Sequence, residues 1–192
     1  MDLSKHIAQR ISELSSPLSE ESLQKVASIL VKTELKKNSM YLKEGEVSKH
    51  IGYVHKGMLR LYYYKNKRDL TEHFACEGTN FFCIESFFRQ KPTRLMIEAL
   101  ENSIVYGLPY DELMELIKEN YEIEVMYRTM IENSLILSQQ KADMLRFESA
   151  NERYCRLLKE HPEIIQRAPL SHIASYLLMT PETLSRVRAS LL

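Results

Sequence analysis

Apolar residues keep two different periods along this chain. Leu23, Val26, Ala27 and Leu30 recur at i, i+3, i+4 and i+7, the stripe of an amphipathic helix, and Pro17 and Ser19 mark where it begins. From about Thr33 to Leu108 the pattern shortens. Runs rich in Tyr, Val, Ile and Phe occupy Ser39–Leu42, Ile51–His55, Met58–Tyr64, Leu70–Ala75 and Met96–Leu100, with a polar turn at Lys65–Asp69. Short strands at this spacing predict an antiparallel barrel or sandwich. Gly45, Gly57, Gly78 and Gly107 fall at expected turns, where glycine takes a positive φ most cheaply.

After Pro109 the helical period returns and holds to the end. Tyr110–Glu119 reads as one short helix. Glu122–Phe147 has no Gly or Pro, enough for a helix of about 39 Å at 1.5 Å per residue. Tyr127, Met130, Ser134, Leu137, Lys141 and Met144 follow an alternating three-four spacing along it, a seam interrupted by its two polar members. Such a helix either lies on its own barrel or pairs with a second subunit. Its length, joining a β region to a helical one, favours the subunit interface. The least apolar stretch between helical segments, Phe147–Asn151, marks a boundary. The expected division is 1–121, 122–147 and 148–192.

The last segment carries the most specific pattern. Ala168–Leu177 reads as a short helix with Pro169 in its first turn, and Leu178-Met179 as a turn. A second helix follows with Thr180 as N-cap, Pro181 at its first position and Glu182 in the first turn, where the helix dipole favours an acid. Leu184, Val187 and Leu191 face inward; Glu182, Ser185, Arg186 and Ala189 lie opposite. Two helices joined by so short a turn form a helix-turn-helix, whose second helix enters the major groove. Arg186 can fork onto guanine O6 and N7, and Glu182 can accept from cytosine N4. Thr180, Ser185 and the free amides beside Pro181 and Thr183 suit phosphate oxygens. Arg188, about 200° round the helix from Arg186, is a flanking phosphate contact or a solvated charge. A small helical bundle with a solvated charged face is the alternative.

Composition narrows this only slightly. The chain has 26 basic and 26 acidic residues, which argues against indiscriminate nucleic-acid binding but leaves room for a local basic face. Arg167, Arg186 and Arg188 against Glu182 leave the segment from Ile165 onward about +2. Cys76, Cys83 and Cys155 have no metal-ligand spacing and read as structural reduced thiols. His50, His55 and His73 are scattered, against a metal-dependent enzyme on a barrel. No apolar run reaches the roughly 18–20 residues of a membrane span, and the N-terminus lacks a secretory layout. The expectation is a cytoplasmic, non-enzymatic protein without a metal or resident cofactor.

Ile173-Ala174-Ser175-Tyr176-Leu177 with Thr180-Pro181-Glu182-Thr183-Leu184-Ser185-Arg186-Val187-Arg188 resembles the helix-turn-helix of the Crp/Fnr regulators. Upstream, Leu42–Glu46, Val54–Tyr62 and Ile97–Glu101 resemble that family's cyclic-nucleotide-binding barrel. The resemblance implies an α+β protein: an N-terminal antiparallel β-roll of the jelly-roll type with flanking helices, a long dimerisation helix and a C-terminal DNA-binding helix-turn-helix. It also implies double-stranded DNA, a second copy of the chain, RNA polymerase and a small-molecule effector as partners. Three departures stand out. Leu178 replaces the usual turn glycine, a costly exchange where φ is positive. The sequence ends at Leu192, so no β-hairpin wing follows the recognition helix within it. Phe82 and Cys83 stand where cyclic-AMP binders carry a Gly-Glu pair, and Thr93-Arg94 where they carry Arg-Ser; neither Phe82 nor Cys83 can replace a glycine and a carboxylate acceptor. An effector other than cyclic AMP is therefore expected, with Glu85, Ser86, Thr93 and Arg94 as candidate pocket residues. A barrel module that acts through a protein partner, with weak DNA binding, is the alternative function.

Overall fold

A computed structural model describes residues 3–66 and 68–190. Leu191, expected on the inward face of the last helix, and Lys67, in the expected Lys65–Asp69 turn, lie outside the described residues.

Two helices, α1 (Leu3–Glu13) and α2 (Glu20–Ile29), precede the β region. Ser19 caps α2 by accepting from the amide of Ser22, so the N-terminal boundary falls where the sequence marks it. Eight strands follow: β1 (Val31–Leu35), β2 (Met40–Leu42), β3 (His50–Lys56), β4 (Leu59–Lys65), β5 (Arg68–Ala75), β6 (Asn80–Phe81), β7 (Met96–Ala99) and β8 (Ser103–Pro109). A six-residue helix, α3 (Ile84–Arg89), interrupts them. The strands form two antiparallel four-stranded sheets, ordered β1-β8-β3-β6 and β2-β7-β4-β5, the jelly-roll arrangement expected from sequence. Strands β1, β6 and β8 lie outside the runs that the hydrophobic pattern singles out.

Gly45, Gly57 and Gly78 take positive φ at turns, as expected. Gly107 does not. It pairs with Gly52 within β8, where a Cβ would lie 3.0 Å from the His50 ring, so it gives room to a neighbour rather than making a turn.

The inner faces of the sheets meet in a core that includes Val54, Leu59, Leu61, Phe81, Ile97 and Val105. A second core fixes α1, α2, α4 (Tyr110–Glu119) and the start of α5 (Tyr121–Phe147) against the outer side of β3 and β8. Met130 belongs to that core at 5% exposure, and Met144 is likewise buried. The expected seam is thus buried at Met130 and Met144 but open between them at Leu137, which is 61% exposed. One position further along, Leu135 is 70% exposed, whereas Ile131, Ala142 and Leu145 are half-buried.

Beyond Glu148, the described residues form four helices: α6 (Ala150–Glu160), α7 (Pro162–Arg167), α8 (Leu170–Tyr176) and α9 (Pro181–Ala189). Ser149 and Glu152 form a reciprocal capping box that starts α6 immediately after α5 ends. Pro169 sits at the N-cap of α8, one step before the first-turn position expected for it.

Candidate functional site

Helices α8 and α9 and their turn form the element nearest to a recognition site. Leu178 has φ +49°. The amide of Met179 donates to the Ala174 carbonyl at 2.9 Å and that of Leu178 to the Ser175 carbonyl at 3.1 Å, which is a Schellman motif with leucine at the left-handed position. The turn thus keeps its geometry despite the missing glycine. At the other side, Thr180 Oγ1 accepts from the Thr183 amide at 3.2 Å and Pro181 begins α9, both as expected. Leu184 and Val187 are buried, whereas Pro181, Glu182, Ser185, Arg186 and Arg188 are exposed and Thr183 is half-buried. The guanidinium groups of Arg186 and Arg188 make no hydrogen bond among the described residues. Glu182 is held below its ordinary pKa, first by the Thr180 hydroxyl, then by a backbone amide and the charge of Arg186.

The opposite side of this pair is docked on the barrel. Tyr154, Leu157, Ile173, Leu177, Leu184 and Val187 share one apolar core with Met58, Phe74 and Cys76. Its polar centre is Arg60 on β4, 1% exposed. Arg60 Nε donates to Thr71 Oγ1 at 2.8 Å, and its terminal nitrogens reach Glu98 at 2.9 Å and Asp69. The same guanidinium meets His172 Nε2 of α8 at 2.9 Å. Because arginine only donates, Nε2 must accept, which puts the ring proton on Nδ1, a buried atom with no hydrogen-bond partner. Burial, then the charge of Arg60, lowers the His172 pKa against the pull of Asp69 and Glu98.

Ser175 adds a second tie. Its hydroxyl accepts from the Thr71 amide at 2.9 Å and donates to the Asp69 carbonyl at 3.2 Å, covering the open edge of β5. A third tie is Arg167 on α7, which forks onto Glu77 at 2.8 and 2.9 Å and also reaches Glu101. Arg167, counted in the sequence toward a basic segment, is thereby committed to the barrel. The local basic face reduces to Arg186 and Arg188.

The expected effector residues all line one cavity of about 850 Å³. Two of them have no free polar atom. Ser86 Oγ accepts from the Ser48 amide and donates to the Lys91 carbonyl; Thr93 Oγ1 exchanges hydrogen bonds with the backbone of Leu95. Glu85 projects to solvent and faces Arg89 at 3.7 Å. Arg94 is exposed and makes no ion pair among the described residues. Phe82 packs edge-on against Phe87 and Phe88, and burial pushes the Cys83 thiol up to about 11, so it stays protonated near neutral pH. The cavity also takes in residues of α6 and α8, together with Ser134, Leu137, Lys141 and Met144 of the α5 seam. They come from three distant segments, and no local pattern links them.

No curated protein matches the sequence. Residues 32–120 match the cyclic nucleotide-binding domain family. Among solved structures, FixK2 from Bradyrhizobium japonicum superposes with a TM-score of 0.73 at 20% identity, covering 85% of this chain and 84% of that one. The c-di-GMP responsive regulator CLP of Xanthomonas campestris gives 0.69 at 15% identity, covering 90% and 91%. A protein described as a transcriptional regulator of the Crp/Fnr family, from Eubacterium rectale, gives 0.67 at 16% identity over 90% and 83%. No helix among the described residues is long and apolar enough to cross a membrane. With two four-stranded sheets, a 27-residue helix and a C-terminal helix-turn-helix in that order among the described residues, the chain has the fold of the Crp/Fnr regulators, and its β region matches the cyclic nucleotide-binding domain family.

Proposed function

We propose that the chain is a sequence-specific DNA-binding transcription regulator, with a sensor region over 1–121, a dimerisation helix over 122–147 and a DNA-binding region over 148–192. The observation that carries this reading is α9. Its inward residues are buried in a properly capped helix-turn-helix, while Glu182, Ser185 and Arg186 stand free on the other side. Arg186 and Glu182 would read base edges; Thr180, Thr183, Ser185, Arg188 and the amides after Pro181 would meet phosphates. Two copies would pair along the exposed middle of α5, where Leu135 and Ile136 offer apolar side chains to a partner. The effector is not cyclic AMP, because Phe82 and Cys83 offer neither close backbone approach nor a ribose-binding carboxylate. That CLP is c-di-GMP responsive supports the view that this fold accepts more than one ligand chemistry.

The test is fluorescence anisotropy on a duplex selected from a random DNA pool, titrated at 50 and 200 mM salt. Binding that weakens on the order of 10³-fold across this range and prefers the selected duplex is expected. Weak, salt-insensitive and sequence-blind binding would overturn the proposal in favour of a module acting through a protein partner. Pairing is tested by sedimentation of Leu135→Glu, which alters an exposed residue and should give folded monomers. A wild-type chain already monomeric at micromolar concentration would reject the α5 interface.

A further inference from the structure

The cavity beneath the helix-turn-helix is not confined to the barrel. Leu61 lines it from β4, Leu95 from the loop before β7, Leu137 and Met144 from α5, and Leu157 and Tyr176 from α6 and α8. Its volume of about 850 Å³ lies within the range of small-molecule sites.

Its cationic groups and hydroxyls divide into engaged and free, and Glu85, facing Arg89, is an exposed carboxylate on the same lining. Lys141 is tied to Glu72 at 2.9 Å and lies over the Tyr176 ring, and Arg156 is paired with Glu148 and Glu160. Ser86 and Thr93 are consumed by backbone, as described above. Lys91 and Arg94, three residues apart in the loop before β7, are exposed and make no ion pair among the described residues. Asn80 adds a buried Oδ1 without a hydrogen-bond partner on the same lining. An apolar chamber with uncommitted cations along one side is complementary to a particular ligand class.

We propose that this cavity binds an amphipathic organic anion, a single carboxylate, sulfonate or phosphate group on an apolar aryl or alkyl body. The anionic group sits at Arg94 and Lys91. The apolar body lies between α5 and the DNA-binding region, so an occupied cavity adds a contact that holds α8 on the barrel. This deepens the regulator reading and rests on it only for that consequence, since occupancy is measured without DNA.

Two dyes that share a naphthyl-phenylamine body test the class: 8-anilinonaphthalene-1-sulfonate, an anion, and N-phenyl-1-naphthylamine, which is neutral. The chain has no tryptophan, so Leu137→Trp places a single energy donor on the cavity wall at an exposed position. The sulfonate is expected to bind with 1:1 stoichiometry, to quench the introduced indole by energy transfer, and to bind at least about tenfold tighter than the neutral dye. Arg94→Gln with Lys91→Gln should reduce the sulfonate to the affinity of the neutral dye. Both positions are exposed, and circular dichroism would verify folding. Tyr176→Ala should weaken both dyes to a similar extent. Equal affinities in the wild type, or sulfonate binding indifferent to the Arg94 and Lys91 changes, would overturn the anion assignment. Absence of energy transfer would overturn the site. Indifference to Tyr176→Ala would remove the DNA-binding region from its walls. Each result stands whether or not the chain binds DNA.

Discussion

Helices α8 and α9 are separated by four residues, Leu177 to Thr180, yet their polar groups have opposite fates. On α8, His172 and Ser175 bond to the barrel and Tyr176 stacks edge-on with Phe74 at 5.4 Å. On α9, Glu182, Ser185, Arg186 and Arg188 stay exposed, and the two arginine head groups are free to meet a partner. The same amphipathic pattern thus serves two purposes. Polar groups on α8 fix where the unit sits; those on α9 are held in reserve for whatever approaches it. Substitutions on the two helices should therefore separate stability from recognition.

The sharpest way to break that contrast is at the hub. Arg60→Ala would leave Glu98, Asp69 and His172 without their shared donor. Removing one member of a buried charged set costs about 3–5 kcal/mol, and the low end applies because Asp69 is 45% exposed and can turn to water. Urea unfolding should show this loss. Any DNA still bound should keep its sequence preference, since no base-reading residue has changed. Arg186→Ala should do the reverse, leaving the unfolding curve in place while costing about 1–3 kcal/mol on the selected duplex and relaxing one base pair. Equal losses on selected and scrambled duplexes would reassign Arg186 to a phosphate.

Acidification should act on α8 through His172. The folded His172 has its pKa lowered, chiefly by burial and then by Arg60, whereas the unfolded chain titrates at about 6.5. The unfolded state then binds more protons across the window below 6.5, so stability is complete above that window and is lost as the pH falls through it. His73, pushed down to about 4 by burial, Lys141 and His161, acts in the same direction over 4 to 6.5. Urea midpoints should drop between pH 7 and 5, and His172→Gln should flatten part of the slope. An unchanged slope would mean that His172 does not sense the dock. The smallest effect is expected at the turn between the helices. Leu178→Gly should raise stability by up to about 1 kcal/mol, because a left-handed L-residue is strained by roughly 1–2 kcal/mol and glycine returns part of that as lost chain entropy.

Much of α9 was legible in the sequence because its signals are local. Thr180, Pro181 and Glu182 act within one turn, and the Leu184–Val187 spacing is its own report of an inward face. The barrel was legible as alternating runs, although β1, β6, β8 and α3 escaped, being short or lacking a clear period. The seam expected on α5 divides, with Met130 and Met144 buried and Leu137 exposed, because apolar residues lie on more than one side of the helix. Sequence alone cannot say which of these sides meets the barrel. Arg60 gave no signal at all. A cation between Leu59 and Leu61 reads as a residue pointing to water, and only α8, more than a hundred positions later, covers it. The cavity escaped for the same reason: its residues acquire a common purpose only once α5, α6 and α8 are in place.

The junction between α5 and α6 carries a consequence for the DNA itself. Only Glu148 and Ser149 separate the two helices. Glu148 is ion-paired with Arg156, and its carbonyl accepts from Arg153, whose Nε also reaches the Leu177 carbonyl beside the turn. In a symmetric pair joined along α5, so short and so heavily stapled a joint acts as a ruler. It sets the distance between the two α9 helices, and hence the number of base pairs between the half-sites that they can read together, to which one turn of DNA gives a unit of about 34 Å. Lengthening this joint would change the spacing of the preferred operator before it changed any of its letters.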